Sequence, residues 1–376
     1  MSPRRRLAEL GVRIGTYPSG PHGAITDVPG VRVGHTTLVE GEGPLEKGKG
    51  PVRTGVTCVL PADDIFLDRL IGGSFVLNGA GEVAGLTQVS EWGLLETPIL
   101  LTNTMSVGKV SDAAVKWITR RNPGIGSEED VIIPVVGECD DSFLNDAVGR
   151  HIRSKHVYEA IDSAKGGPVA EGSVGAGTGM MTCDFKAGIG TASRLVPGEG
   201  GAPQGKWTIG VLVLSNFGEM PSLRIDGVPV GALLAPEHAA IARRQNNYGS
   251  IIVVIGTDAP LTTSQIGRVC KRSALGVGRV GSYAAHGSGE ILLGFSTANR
   301  VPRGGTALTH QVTALYDRAI GPIYEAVIEA TEEAIVNSLC MADDMIGQGG
   351  NFAPGLPLDA VAEILQRYRP PPRPSL

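Results

Sequence analysis

In Gly249-Ser250-Ile251-Ile252-Val253-Val254-Ile255, a residue without a side chain precedes a hydroxyl, and the hydroxyl precedes five apolar residues. That order permits a particular chemistry. The Gly249 carbonyl can be approached closely because no Cβ shields it. Ser250 can attack it, converting the amide into an ester that water then hydrolyses. Cleavage would leave Ser250 with a free α-amine, whose reference pKa of ~7.7–8.0 lets it act as the serine's own general base near neutrality. The apolar run reads as a buried strand that would fix both groups at its start. An ordinary turn entering a strand looks the same, so the pair alone does not decide.

The other chemistry-bearing patterns are incomplete. Gly43 to Gly50 is one residue from a phosphate-binding loop, but Gly50 stands where the magnesium-holding hydroxyl belongs and Pro51 follows where a helix should begin. Gly276-Val277-Gly278-Arg279-Val280-Gly281 has dinucleotide spacing, yet it follows a helical pattern and precedes a strand, the reverse of the required order. Gly79-Ala80-Gly81 is better placed, after the strand-like Ser74–Leu77, and reads as a glycine turn lining a substrate site. There is no H-E-x-x-H and no G-x-S-x-G, and the five widely spaced cysteines form neither a zinc motif nor a disulfide framework. No metal site and no organic cofactor are expected. Gly137-Glu138-Cys139-Asp140-Asp141 is unusually acidic. It is either a solvated loop or the source of a carboxylate for a substrate ammonium, with Glu138 as the candidate.

The elements that must position these residues are those of an α/β protein. Val131–Val136, Ile209–Leu214, Ile251–Ile255 and Ile291–Phe295 read as strands, and Leu144–Lys165, Thr262–Ala274 and Thr306–Cys340 as helices. Thr262 and Gln265 form a capping box. Gly321-Pro322 predicts a kink or two helices in the last of the three. Gly41–Arg53, Leu195–Lys206 and the proline-rich Arg367–Leu376 read as loops, and no composition shift divides the chain, which points to one domain. Of 376 residues, 54 are glycine, about twice ordinary usage, without the period of collagen. A net charge of −5 offers no footprint for nucleic acid or an anionic membrane. Arg4-Arg5-Arg6 could begin a signal peptide, but no apolar stretch follows, and the longest apolar runs are far too short for a membrane span. A cytoplasmic protein is expected.

Eight stretches in chain order carry a resemblance: Ile25–Leu38, Gly55–Pro61, Leu101–Val107, Gly175–Met180, Lys186–Arg194, Gly210–Gly218, Asn246–Leu261 and Gly287–Leu292. Through them the whole chain resembles the L-aminopeptidase/D-esterase-amidase and β-aminopeptidase family of self-processing serine hydrolases. The resemblance implies a four-layer αββα sandwich, also seen in ornithine acetyltransferases. It implies cleavage into 1–249 and 250–376, with Ser250 as nucleophile and then base, and Asn216 as the oxyanion-hole side chain. Ser288 and Glu290 match a Ser-x-Glu pair that orients groups and relays protons around the nucleophile. Residues i and i+2 of an extended segment face one side, so both can enter one pocket. Where some members carry an oxyanion-assisting tyrosine, this chain has Phe143, which cannot donate a hydrogen bond. A tetramer of cleaved heterodimers acting on small peptides, amides or esters is implied. The competing readings are an acyltransferase on the same fold and an uncleaved binding or assembly protein.

Overall fold

The computed structural model describes residues 3–198, 206–237, 249–304 and 306–369. The strands are β1 (Arg32–Glu40), β2 (Val52–Leu60), β3 (Asp68–Gly79), β4 (Val83–Ala84), β5 (Leu94–Leu95), β6 (Ile99–Asn103), β7 (Val135–Cys139), β8 (Met181–Thr182), β9 (Phe185–Lys186), β10 (Ile189–Pro197), β11 (Lys206–Asn216), β12 (Ser250–Thr257), β13 (Gly289–Pro302), β14 (Met345–Ile346) and β15 (Phe352–Ala353). The helices are α1 (Leu86–Trp92), α2 (Val107–Arg121), α3 (Ser154–Asp162), α4 (Val230–Leu234), α5 (Thr263–Arg279), α6 (Gly321–Cys340) and α7 (Leu358–Tyr368). One sheet runs β1-β2-β6-β7-β4 and the other β10-β11-β12-β13-β3-β5.

Three apolar cores stack these elements into four layers. Val110, Ala113, Val157 and Ala160 of α2 and α3 pack on Val56, Cys58, Leu100 and Val136 of the first sheet. Val59, Leu101, Leu212, Ile252 and Ile291 fill the space between the sheets. Val211, Val253 and Leu292 on the far face of the second sheet meet Val269, Val327 and Ile335 of α5 and α6. The αββα sandwich expected from the resemblance is the observed architecture. It also explains why β12 is apolar throughout: Ile251, Val253 and Ile255 meet the helices while Ile252 and Val254 meet the other sheet.

Strand direction decides where chemistry can gather. β12 and β13 are parallel, joined by the α5 crossover that parallel strands require, so both begin at one edge of the sheet. Their outer neighbours β11 and β3 run the opposite way and end there: Asn216 pairs with Ser250, and Gly79 with Gly289. The parallel β6 and β7 end at Asn103 and Cys139 in the facing sheet.

Several expectations shift in detail. The strand read from Val131 begins at Val135, after Pro134, whose missing N–H cannot join a ladder. The helix read over Leu144–Lys165 is confined to Ser154–Asp162. Before it, the Asp146 carboxylate caps a short turn by accepting from Gly149 N–H, and Arg150 is left-handed at φ 46°. Gly321-Pro322 does not kink a helix but starts one, because the first turn needs no proline N–H. The capping box at Thr262 and Gln265 is present. The loop around 199–205 and most of the proline-rich tail, 370–376, lie outside the described residues. Arg4, Arg5 and Arg6 are engaged with the folded body: Arg4 donates to Leu356 O, Arg5 pairs with Asp359, and Arg6 with the buried Glu171.

Candidate active site

Ser250 is the first residue of β12 and is buried. Of the stretch that precedes it, Gln245 to Tyr248 lie outside the described residues. Gly249 is packed against the end of β11: a Cβ there would lie 2.8 Å from Asn216 O and 2.8 Å from Phe217 Cα. Main chain cannot move aside as a flexible side chain can, so only glycine fits. The Gly249 carbonyl, the one Ser250 would attack, accepts a hydrogen bond from Gly289 N–H at 3.1 Å. A donor already on this oxygen stabilises the negative charge that attack would place there.

Asn216 is paired with Ser250 across the β11–β12 ladder, and both ends of its amide are held. Its Oδ1 accepts from Met181 N–H at 3.0 Å, and its Nδ2 donates to Asp140 O at 2.9 Å. The amide plane and its donor edge are therefore fixed before any substrate arrives, which makes an electrostatic stabiliser effective. Behind Met181 lies a wholly buried cation that the sequence reading missed. Lys186 Nζ donates to the carbonyls of Gly177, Met180 and Ala187 at 3.1, 3.0 and 2.6 Å, pinning the 177–187 turn that presents Met181. The stretch beginning at Lys186 was in view, but its three carbonyl partners are set only by folding.

Ser288 and Glu290 flank Gly289, the residue opposite Ser250 on β13. The Ser288 hydroxyl donates to Glu290 Oε1, so the two side chains do converge. Burial pushes the Glu290 carboxyl above its ordinary range, and hydrogen bonds from Ser288 and Ser282 offset only part of that rise. Ser282 was also missed, since it lies eight positions before Glu290, across a loop.

Glu138 is not in a solvated loop. It is a buried residue of β7, and burial raises its carboxyl above the ordinary range, offset in part by hydrogen bonds from the Thr104 hydroxyl and Glu82 N–H. Gly81, in the glycine turn after β3, sits between it and the start of β13, the strand beside the nucleophile's: a Cβ at Gly81 would lie 3.3 Å from Glu138 Oε1 and 3.5 Å from Gly289 Cα. The structure thus brings Glu138, Gly81 and Gly289 together. Nearby Asp141 is also buried, which pushes its carboxyl up to about 7 despite hydrogen bonds from Thr54 and Asn145. No group of three or more His, Cys, Asp or Glu side chains suited to a metal occurs among the described residues.

Phe143 is half-buried against Leu144, Met181 and Ala353, next to the residue whose N–H holds Asn216. Phe143→Tyr therefore places a phenol close to the Asn216 clamp. We expect kcat to rise by much less than the ~10²–10³-fold of a full oxyanion donor, with KM little changed. A lower melting temperature without a gain in kcat, the mark of a phenol buried without a partner at ~1–3 kcal/mol, would assign Phe143 to packing alone.

The four-layer architecture and the serine at the head of a parallel strand define a class, and the comparisons agree with it. Residues 23–353 match peptidase family S58, and the chain belongs to that family, hydrolases of peptide and amide bonds. It is 43% identical to a beta-peptidyl aminopeptidase of Sphingosinicella microcystinivorans over 97% of this chain and 92% of that protein. A crystal structure of a Pyrococcus horikoshii protein superposes with a TM-score of 0.91 at 46% identity, covering 97% of this chain and all of that one. The L-aminopeptidase D-Ala-esterase/amidase of Ochrobactrum anthropi, described as a variant of the Ntn-hydrolase fold, gives 0.87 at 35% identity over 96% and 98%. No helix among the described residues is long and apolar enough to cross a membrane.

Proposed function

We propose that this chain is a self-processing serine aminopeptidase or amidase that releases N-terminal residues from small peptides, amides or esters through an acyl-enzyme on Ser250. The observation that carries the reading is the junction itself. Gly249-Ser250 lies at the head of a buried strand, its carbonyl accepts from Gly289 N–H, and a clamped Asn216 stands opposite.

In the self-cleaving step, Ser250 Oγ bonds to the Gly249 carbonyl carbon, and the proton it loses passes by way of Ser288 and Glu290 to the departing Ser250 nitrogen. The resulting ester is hydrolysed by water. This gives a Gly249 carboxylate, a restored Ser250 hydroxyl and a free amine on the same residue. The amine then takes the hydroxyl proton during attack on a substrate carbonyl, and returns it to the leaving amine. Asn216 donates to the oxyanion in the substrate reaction, and Glu138 faces the substrate's ammonium.

The two fragments stay associated through buried contacts that do not involve the cut bond. Arg194 of β10 donates to Glu329 and Glu333 of α6 at 3.1 and 2.6 Å, and Leu7 N–H donates to Asn337 at 3.1 Å. Separating the fragments would also expose the apolar core that Ala192, Val211 and Val213 share with Val253, Val327 and Ile335. Assembly of cleaved pairs into a tetramer is part of the same proposal.

Intact-mass measurement of the purified protein tests the reading directly. Fragments 1–249 and 250–376 are expected, whereas active protein found only at full length would remove the free amine as base. A paired substrate panel tests amine recognition. N-acetylated aminoacyl p-nitroanilides should react far more slowly than the free amines, because acetylation removes the charge that Glu138 faces and adds bulk. Equal kcat/KM for both would make the protein a general amidase.

A further inference from the structure

The two carboxyl oxygens of Glu290 have different surroundings. Oε1 accepts two hydroxyl hydrogen bonds, one from Ser288 and one from Ser282 at 3.4 Å. Oε2 is buried and has no hydrogen-bond partner among the described residues. Ser282 does not come from β13 but from the loop between α5 and β13, and that loop is tied down at several points. Ala284 N–H donates to Ser282 Oγ at 3.1 Å, occupying a lone pair of the hydroxyl and leaving its proton to be directed elsewhere. Ala284 holds a left-handed φ of 51°, a conformation an alanine keeps only when its surroundings impose it. Ala285 O accepts from Ser288 N–H and from Asn78 Nδ2, both at 2.8 Å, which fastens the loop to β3. The loop enters through Gly281 at φ 114°, where a Cβ would lie 1.9 Å from Ser222 O.

The geometry points to Ser282 as a positioning residue of the reaction: with Ser288 it grips Oε1 of Glu290 and so fixes the carboxyl to which Ser288 passes the proton in transit around Ser250. This assignment rests on the functional reading above. Ser282 reaches Glu290 and not the reacting bond, so its effect is exerted through that carboxyl. A serine that merely stabilised the loop would contribute to melting temperature and leave the ionisation of Glu290 alone.

The groups facing Glu290 are Ser288 on its own strand, Ser282 from the loop, Ile251 across the β12 ladder and Asn78 across the β3 ladder. Among the described residues none of these carries a charge, so a shift of the acidic limb of self-cleavage on changing Ser282 alone reports Glu290. The sign follows from the hydrogen bond. A hydroxyl donor favours the charged carboxylate, so removing it raises the pKa of Glu290, and the limb below which self-cleavage fails moves to higher pH.

The test uses full-length chain made by cell-free synthesis, transferred rapidly to a series of pH values, with the cut fraction followed in time. Ser282→Ala should move the acidic limb upward by as much as about one pH unit, equivalent to slowing by up to about tenfold at a fixed pH below it. In the cut enzyme the same variant should lower kcat for an aminoacyl p-nitroanilide and leave KM unchanged. Ser282→Thr, which keeps the hydroxyl, should restore both. If the alanine variant does not fold, Ser282→Cys keeps the volume with a weaker donor and must shift the limb in the same direction. An unmoved limb and unchanged kcat with only a lower melting temperature would overturn the assignment. A wild-type chain that stays uncut and inactive would instead overturn the functional reading, and the Ser282 assignment with it. A cut and active wild type with an unshifted Ser282→Ala removes the Ser282 assignment alone.

Discussion

Ser250→Ala is expected to leave a single 39.0 kDa species that neither cuts itself nor turns over an aminoacyl p-nitroanilide. One oxygen performs both attacks in the proposed scheme, on Gly249 during processing and on the substrate afterwards, so both activities vanish together. The loss in turnover should be on the order of 10⁶-fold, the scale seen when the nucleophile of a serine protease is removed. Stability should change by no more than about 1 kcal/mol. The pairing of position 250 with Asn216 and Gly289 is made by main chain, and the substitution leaves the ladders of β12 intact. Intact mass, residual turnover and melting temperature, measured on one preparation, check all three statements. A variant that is cut at 249/250 would place the attacking group elsewhere, and an uncut variant that still hydrolyses the anilide would separate the two chemistries.

Asn216→Ala should lower kcat by ~10²–10³-fold, with KM changed much less, because the amide donor acts on charge that develops only in the transition state. This substitution cannot be silent in stability. Both polar ends of Asn216 are in use, so alanine removes the acceptor of the buried Met181 N–H, at ~1–3 kcal/mol, and the donor to Asp140 O, whose residue is exposed, at less. Asn216→Asp is the sharper probe. It keeps the shape and can still accept from Met181 N–H, but it turns a donor facing Asp140 O into a second acceptor. Its kcat should fall at least as far as that of the alanine variant. Self-cleavage offers a further distinction. The Gly249 carbonyl already accepts from Gly289 N–H, so processing should suffer less than substrate turnover when Asn216 is lost. Equal losses in the two reactions would mean that Asn216 serves both oxyanions.

Local sequence determined what depends on near neighbours. The run Ile251–Ile255 is apolar on both alternations, which only a doubly covered strand tolerates, and Ser250 therefore had to stand at the mouth of a buried strand. Thr262 and Gln265 signal a helix start because their hydrogen bonds span only three residues. Ser288 and Glu290 meet because two residues apart on an extended chain is a local spacing. Where competing local forces were close, the reading failed. Proline at 322 both stops and starts helices, and the half-helical stretch from Leu144 gives way to the capped turn at Asp146.

Tertiary structure alone decided which distant segments share an edge. The parallel pairing of β12 and β13 carries Glu290 to Ser250, and the antiparallel return of β11 carries Asn216 to the same point. Met181 and Asp140 fix that asparagine, and Lys186 holds three carbonyls of one turn, contacts that no spacing in the chain announces. Glu138 shows the limit most plainly. An acidic cluster of this kind usually means solvent, because a carboxylate loses hydration on burial, yet here Glu82 N–H and Thr104 compensate it inside β7. Hydrogen-bond partners separated by dozens of residues are set by strand order and direction, and those follow from the packing of whole faces rather than from any local pattern.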